Sequence, residues 1–291
     1  MALYCLVSPG GSPGVTTTAL GLALTWPGRV LLAECDPMGR RVLPGYLADR
    51  MREPAGPGLL GITTTDANDS NVSVRLEQCV VPLDDDGHAE LLHGIRDPRH
   101  TARLTALWPL VAGALATRDG DVIADLGRVG GAETPVALLE AANVVIVVLK
   151  PTLAQVDAVR PRLDVLRSLV SSRGEIGLCL IGDGPYSAAE IKRLLRVPVL
   201  AELPHSPADA QVLSDGARPR RTFRTCLLVR CFNRMGHRLR VPTETTPMPS
   251  GAADTTEVAR RAEAHPIRRK ESNDGNALDR SSIAHSRRSH Q

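Results

Sequence analysis

Ser8-Pro9-Gly10-Gly11-Ser12-Pro13-Gly14-Val15-Thr16-Thr17-Thr18 follows an apolar run at residues 2–7 and opens a stretch of helical character. A strand, a glycine-rich turn and a helix in that order is how an α/β protein holds a phosphate-binding loop. The glycines let backbone N–H groups close on phosphate oxygens, and the helix directs the positive end of its dipole at them. In this reading Gly10, Gly11, Ser12, Pro13, Gly14, Val15, Thr16 and Thr17 form the binding loop, and the Thr16 hydroxyl binds Mg²⁺. Val15 stands where such a loop carries its lysine, so the full positive charge for the outer phosphates is missing. A tight structural turn is the competing reading of the same residues taken alone.

Further along, short apolar runs alternate with helical patterns. Strand candidates lie near residues 2, 29, 121, 143, 175 and 198, each separated from the next by enough chain for a right-handed crossover. The run from Ala142 to Leu149 is rich in β-branched residues, as expected of a strand buried on both faces. The pattern predicts an α/β fold, a doubly wound and mostly parallel sheet in three α/β/α layers. Ligands of such sheets bind beyond the carboxyl ends of the strands, where residues 10–16, 34–41, 125–128 and Lys150 converge. Helices are expected over 153–170, kinked or interrupted at Pro161, over 100–116, split or kinked at Pro109, and over 208–216. Residues 52–71 read as a long irregular connection with a short helix, 72–83 as a strand, and Asp84-Asp85-Asp86-Gly87 as an exposed turn.

This order of elements resembles the ParA/MinD family of deviant P-loop ATPases over roughly residues 2–216. The family loop reads Lys-Gly-Gly-x-Gly-Lys-Thr; on this chain its first lysine falls on Gly10, its glycines on Gly11, Ser12 and Gly14, and its second lysine on Val15. Arg29-Val30-Leu31-Leu32-Ala33-Glu34-Cys35-Asp36-Pro37 is similar to the family strand ending in Asp-x-Asp-Pro. Asp121-Val122-Ile123-Ala124-Asp125 is similar to its Walker B strand, with Gly127 where the family has proline. The resemblance implies a P-loop NTPase fold, ATP or ADP with Mg²⁺ held by Thr16 and Asp125, and Asp36 as the catalytic carboxylate that positions the attacking water. It also implies a homodimer around the nucleotide. Gly182-Asp183 replaces the asparagine that the family places near the adenine.

Composition sets outer limits. With 291 residues, 43% hydrophobic and 23% charged, the chain is ample for one α/β domain, expected over 1–240, plus a tail. Aromatics are only 2%, which argues against base-stacking platforms for single-stranded nucleic acid. There is no 18-residue apolar span and no signal core at the N-terminus, so the expected location is cytoplasmic. The six cysteines lack paired metal-ligand spacing and read as free thiols, and His93, His100 and His205 as surface or loop residues.

Charge is uneven. From Ala217 onward there are 16 Lys+Arg against 7 Asp+Glu, and before it 19 against 25. Residues 217–240 read as a helix with Phe223, Leu227, Cys231, Met235 and Leu239 on one face and Arg221, Arg224, Arg230, Arg234 and Arg238 around the rest. Three readings compete for it: the last helix of the domain packed on the sheet, a helix on anionic lipid, and non-specific DNA binding. Residues 241–291 read as a disordered basic tail.

Two functions follow from these observations. One is a ParA/MinD-like nucleotide-binding protein acting in DNA partitioning or intracellular positioning through a nucleotide-dependent dimer, with weak or absent hydrolysis and nucleoid or membrane association. The alternative is a pseudo-ATPase scaffold that docks a partner protein without using nucleotide. Charge-assisted hydrogen bonds to phosphate contribute roughly 1.5–3 kcal/mol each, so loss of the loop lysine bears directly on this choice. Arg40, Arg41, Arg128 and Lys150 are the cations on the same sheet edge that could replace it.

Overall fold

All six expected strands form, and they lie in one sheet. The computed structural model describes residues 1–10, 13–51, 55–63, 72–172 and 174–240. In chain order the strands are β1 (Leu3–Ser8), β2 (Val30–Glu34), β3 (Val81–Pro82), β4 (Ala89–Leu92), β5 (Asp121–Arg128), β6 (Val144–Leu149), β7 (Glu175–Ile181) and β8 (Val199–Leu203). Their spatial order is β3-β4-β2-β5-β1-β6-β7-β8, and every pair is parallel except the short β3 with β4. The chain builds outward from β1 on one side, returns through β5, and then builds outward on the other. The carboxyl ends of β2, β5, β1 and β6 are therefore consecutive neighbours at the switch point.

Alternation along the strands divides the core. Leu3, Cys5 and Val7 of β1 join one apolar cluster, and Tyr4 and Leu6 the other. Likewise Val145, Val147 and Leu149 of β6 face one way, and Ile146 and Val148 the other. The first cluster includes buried residues of α4 (Trp108–Thr117), α5 (Val136–Ala141), α6 (Leu153–Leu169) and α7 (Ala188–Leu195); the second includes those of α1 (Val15–Leu24), α8 (Pro207–Ser214) and α9 (Leu227–Arg240). This is the expected three-layer arrangement.

Three local expectations change. Residues 72–83 divide into a helix, α2 (Val72–Gln78), and the two-residue edge strand β3; the partial alternation there belongs to a short helix whose Leu76 enters the core. Strand β4, which follows the acidic turn, carried too short an apolar run to be singled out. Helix α6 runs unbroken through Pro161, which lies on the exposed face four residues after the exposed Asp157, so the carbonyl it leaves without a partner is on the solvent side. Pro109, by contrast, does mark a division: α3 (Thr101–Thr105) ends ahead of it, and it occupies the first turn of α4, where a missing N–H costs nothing. The acidic turn forms as read, with the Asp84 carboxylate accepting from Gly87 N–H at 2.8 Å.

Residues 217–240 are not one helix. The chain leaves α8 through Gly216, passes Pro219 without regular secondary structure, makes a 3₁₀ turn at Phe223–Thr225 and starts α9 at Leu227. The buried stripe is Leu228, Phe232, Met235 and Gly236, whereas Leu227 is 57% exposed. The stripe is set by α1: the Phe232 ring lies over Gly21, where a Cβ would sit 2.3 Å from a ring carbon. The expected tail at 241–291 lies outside the described residues.

The amino edge of the sheet is tied by one carboxylate that the sequence did not single out. Asp121, 5% exposed, accepts from Ala2 N–H at 3.0 Å and from the Trp26 indole at 2.9 Å, and pairs with Arg240 Nε at 3.0 Å. It joins the start of β5, the end of α1 and the end of α9. Arg118, nearly buried, similarly bridges Glu77 of α2 and Glu90 of β4.

Candidate functional site

The loop meets the carboxyl ends of β2 and β5. Thr16, in the first turn of α1, donates its hydroxyl hydrogen bond to Asp125 Oδ2 at 2.6 Å, and Asp125 Oδ1 accepts from Gly127 N–H at 2.9 Å. Asp125 is 2% exposed. Burial pushes its carboxyl up to about 7; the Thr16 hydroxyl and the Gly127 N–H oppose that rise, and the charges of Asp36 and Glu34 add to it. Asp36 is half-buried, is held by Met38 N–H at 2.9 Å, and is likewise raised by burial, against the pull of the Met38 N–H and the Arg41 charge.

Gly127 explains why Asp36 and Asp125 can be neighbours. Its φ is +63, closed to proline and strained for any L side chain, and the Asp36 carboxylate occupies the space where a Cβ would stand, 2.3 Å from Oδ2. Glycine at 127 is thus required by the path of β5 in this chain.

Glu34 plays a different part. It is 2% exposed and its oxygens accept from Arg41 N–H at 2.6 Å, Val42 N–H at 2.8 Å and Gly94 N–H at 3.2 Å. Burial raises its carboxyl, and those three N–H groups, with the His93 charge, lower it. Glu34 therefore shapes the loop after β2 and anchors it to the end of β4. His93 is buried, contrary to the surface reading, with ring nitrogens 3.1 Å from the carbonyls of Ala55 and Gly94.

Among the loop residues, Gly10, Gly14, Thr16 and Thr17 are half-buried, Pro13 and Val15 are buried, and Gly11 and Ser12 lie outside the described residues. The Val15 side chain is 6% exposed and belongs to the apolar cluster that includes Leu6, Leu20 and Val148, so position 15 contributes backbone and packing. Gln155 of α6 donates to the Gly10 carbonyl at 3.0 Å, which leaves its Oε1 buried without a partner among the described residues. Asp183, at the position expected near a base, is exposed.

These residues fit a magnesium nucleotide. A Cβ on Gly14 would meet nothing within 4 Å, so space is open beside the start of α1. The first intrahelical bond there is Thr18 N–H to Gly14 carbonyl, which leaves the preceding N–H groups for an anion. Thr16 and Asp125 supply one hydroxyl and one carboxylate. Among the described residues no group of three or more His, Cys, Asp or Glu is placed to hold a metal, so the remaining ligands of a Mg²⁺ ion here would be phosphate oxygens and water.

A mostly parallel eight-stranded sheet with this loop after its central strand is a P-loop NTPase fold of the α/β class. Within that class the fold is the one shared by MinD and ParA. The septum site-determining protein MinD of Pyrococcus horikoshii, solved with Mg-ADP, matches with a TM-score of 0.63 at 16% identity over 82% of this chain and 96% of that one. The cell division ATPase MinD of Pyrococcus furiosus matches with a TM-score of 0.65 at 16% identity, covering 82% and 98%. A ParA family ATPase from Chlorobium tepidum matches with a TM-score of 0.60 at 15% identity, covering 82% and 98%. No protein-family model and no curated protein sequence matches the chain.

The expected arginine surface divides. Arg221 and Arg224 lie before α9; Arg230, Arg234 and Arg238 lie on it, and all five are exposed. Arg238 donates to the Leu200 carbonyl at 2.9 Å. Arg221, Arg224, Arg230 and Arg234 border a groove of about 1620 Å³. Residues 217–240 contain eight arginines and no acidic residue. Among the described residues, no helix is long and apolar enough to cross a membrane.

Proposed function

We propose that this chain is a ParA/MinD-like nucleotide-binding protein that acts in DNA partitioning or intracellular positioning. It binds ATP or ADP with Mg²⁺, dimerises in response, and hydrolyses weakly or not at all. The observation that carries this reading is the Thr16–Asp125 pair at 2.6 Å, with the Asp125 carboxyl poised for a cation. The fold shared with MinD and ParA proteins, one of them solved with Mg-ADP, supports it. Bound Mg²⁺ would neutralise charge on the transferring phosphoryl group. In the chain itself, Thr16 and Asp125 hold the ion, Asp36 orients water beside them, and the N–H groups at the start of α1 bind phosphate. Val15 provides no ammonium group, which removes transition-state charge stabilisation and slows hydrolysis more than it weakens binding.

Calorimetric titration with Mg-ATP tests this reading. The unsubstituted protein should bind with micromolar affinity, and the Thr16→Ala, Asp125→Ala double variant should show no measurable heat of binding. No binding by the unsubstituted protein up to millimolar ATP would remove the nucleotide switch.

The exposed arginines support contact with a polyanion, either DNA or an anionic membrane, from a cytoplasmic protein. Replacing Arg230 and Arg234 with glutamate should abolish a gel shift of random duplex DNA at low salt, because log affinity scales with the number of phosphates neutralised. A shift left intact, with binding to phosphatidylglycerol vesicles lost, would assign the surface to membrane instead. The second reading, a pseudo-ATPase scaffold for a partner protein, is favoured by one observation: the side chain at the lysine position is committed to the core.

A further inference from the structure

Strands β1 and β5 pair in step as far as Leu6 with Asp125, and then the register shifts so that Ser8 faces Arg128. Two residues along β1 are thus matched by three along β5. The extra residue is a bulge, and Gly127 within it has a left-handed φ, open to glycine. Bulges re-aim side chains. Without this one, residue 127 would face Ser8 and Arg128 would alternate to the other side of the strand.

As built, the Arg128 guanidinium lies over Gly10. A Cβ on Gly10 would be 3.5 Å from Arg128 Nε and 3.7 Å from Cζ and Nη2. The guanidinium thus lies in van der Waals contact with the point from which a side chain at position 10 would project. Arg128 is exposed and forms no ion pair among the described residues. Of the four cations on this sheet edge, it is the one placed against a loop glycine among the described residues; the Arg41 charge acts on Asp36 instead.

We propose that Arg128, delivered by the bulge at Gly127, is the phosphate-binding cation of this loop, pairing its planar guanidinium with the outer phosphate oxygens of a bound nucleotide. This rests on the nucleotide-binding reading above. The sheet thereby supplies the charge that neither Gly10 nor Val15 carries, and a guanidinium is always ionised and matches phosphate in a bidentate geometry.

The test is calorimetric titration of the unsubstituted protein, Arg128→Ala and Arg128→Lys with ATP and with AMP, each with Mg²⁺. Arg128→Ala should weaken ATP binding about 10- to 100-fold and AMP binding less than twofold, with Arg128→Lys between. The apo proteins should melt at the same temperature, since the side chain is exposed. ATP affinity unchanged in Arg128→Ala, or an equal loss for ATP and AMP, would overturn the assignment while the nucleotide reading stood. Absence of binding by the unsubstituted protein would instead overturn that reading, and this inference with it.

Discussion

Replacing Phe232 with alanine should lower the unfolding free energy by about 3–5 kcal/mol, the range for deleting a buried aromatic ring. Phe232 is 1% exposed, and its ring is the main wedge of α9 against α1. The opposite face of α9 is mostly arginine, with Leu227, Asn233 and His237, and the other buried residues along the helix are Leu228, Met235 and Gly236. The ties that remain, among them Arg240 to Asp121 and Arg238 to the Leu200 carbonyl, keep the helix docked, so the loss is that of the ring and the cavity it leaves. Chemical denaturation should show the loss as a lower midpoint. The reciprocal change is informative because its sign depends on context. Gly21→Ala places a methyl 2.3–2.6 Å from three ring carbons, so it should destabilise the unsubstituted protein. In the Phe232→Ala background the same methyl enters vacated space and should be neutral or stabilising, a coupling that a double-mutant cycle reads directly. Additive effects would show that ring and glycine do not meet.

That contact also shows where the sequence was legible and where it was not. The six longer strands announced themselves because each is a short, mostly apolar run, and β1, β2 and β6 are buried along nearly their whole length, a pattern that survives without knowledge of its neighbours. Thr16, Asp36 and Asp125 were legible because each follows such a strand or lies in its carboxyl-terminal half, and the sheet brings strand ends together whatever the details. The face of α9 was not legible. Two apolar stripes one residue apart fit its spacing, and the choice fell to a glycine on another helix, some two hundred residues earlier. Strand β4 and helix α2 were hidden for a related reason: both are short, and both are fixed by partners, Glu90 and Glu77 with Arg118, that are distant in sequence. The bulge at Gly127 is a fact of register between two strands. In the sequence it shows only as a glycine where a proline was expected.

Converting Asp125 to asparagine should stabilise the apo protein at alkaline pH, by up to about 4 kcal/mol, although the change weakens the site. In the unfolded chain an aspartate titrates near 3.9, and in the fold burial carries Asp125 up to about 7. Between those values the folded state binds the proton and the unfolded state does not, so stability falls as pH rises through that window. Below about pH 4 both states are protonated and the variant should match its parent. Above pH 7 the parent must keep a buried charge beside Asp36 and Glu34, whereas asparagine carries none. The amide can still accept from Gly127 N–H and donate to the Thr16 oxygen, so no hydrogen bond need be lost. Denaturation midpoints of the two proteins at pH 5 and pH 8 check this, and an equal pH response would refute it. Mg-ATP should reverse the order: the charge that destabilises the empty site is the one that binds the ion, so the parent should gain stability from the ligand and the variant should gain little. A site whose own carboxylate weakens the apo fold is one in which ligand binding and stability are coupled through a single charge, and the pH at which that coupling sets in reports on Asp125 itself.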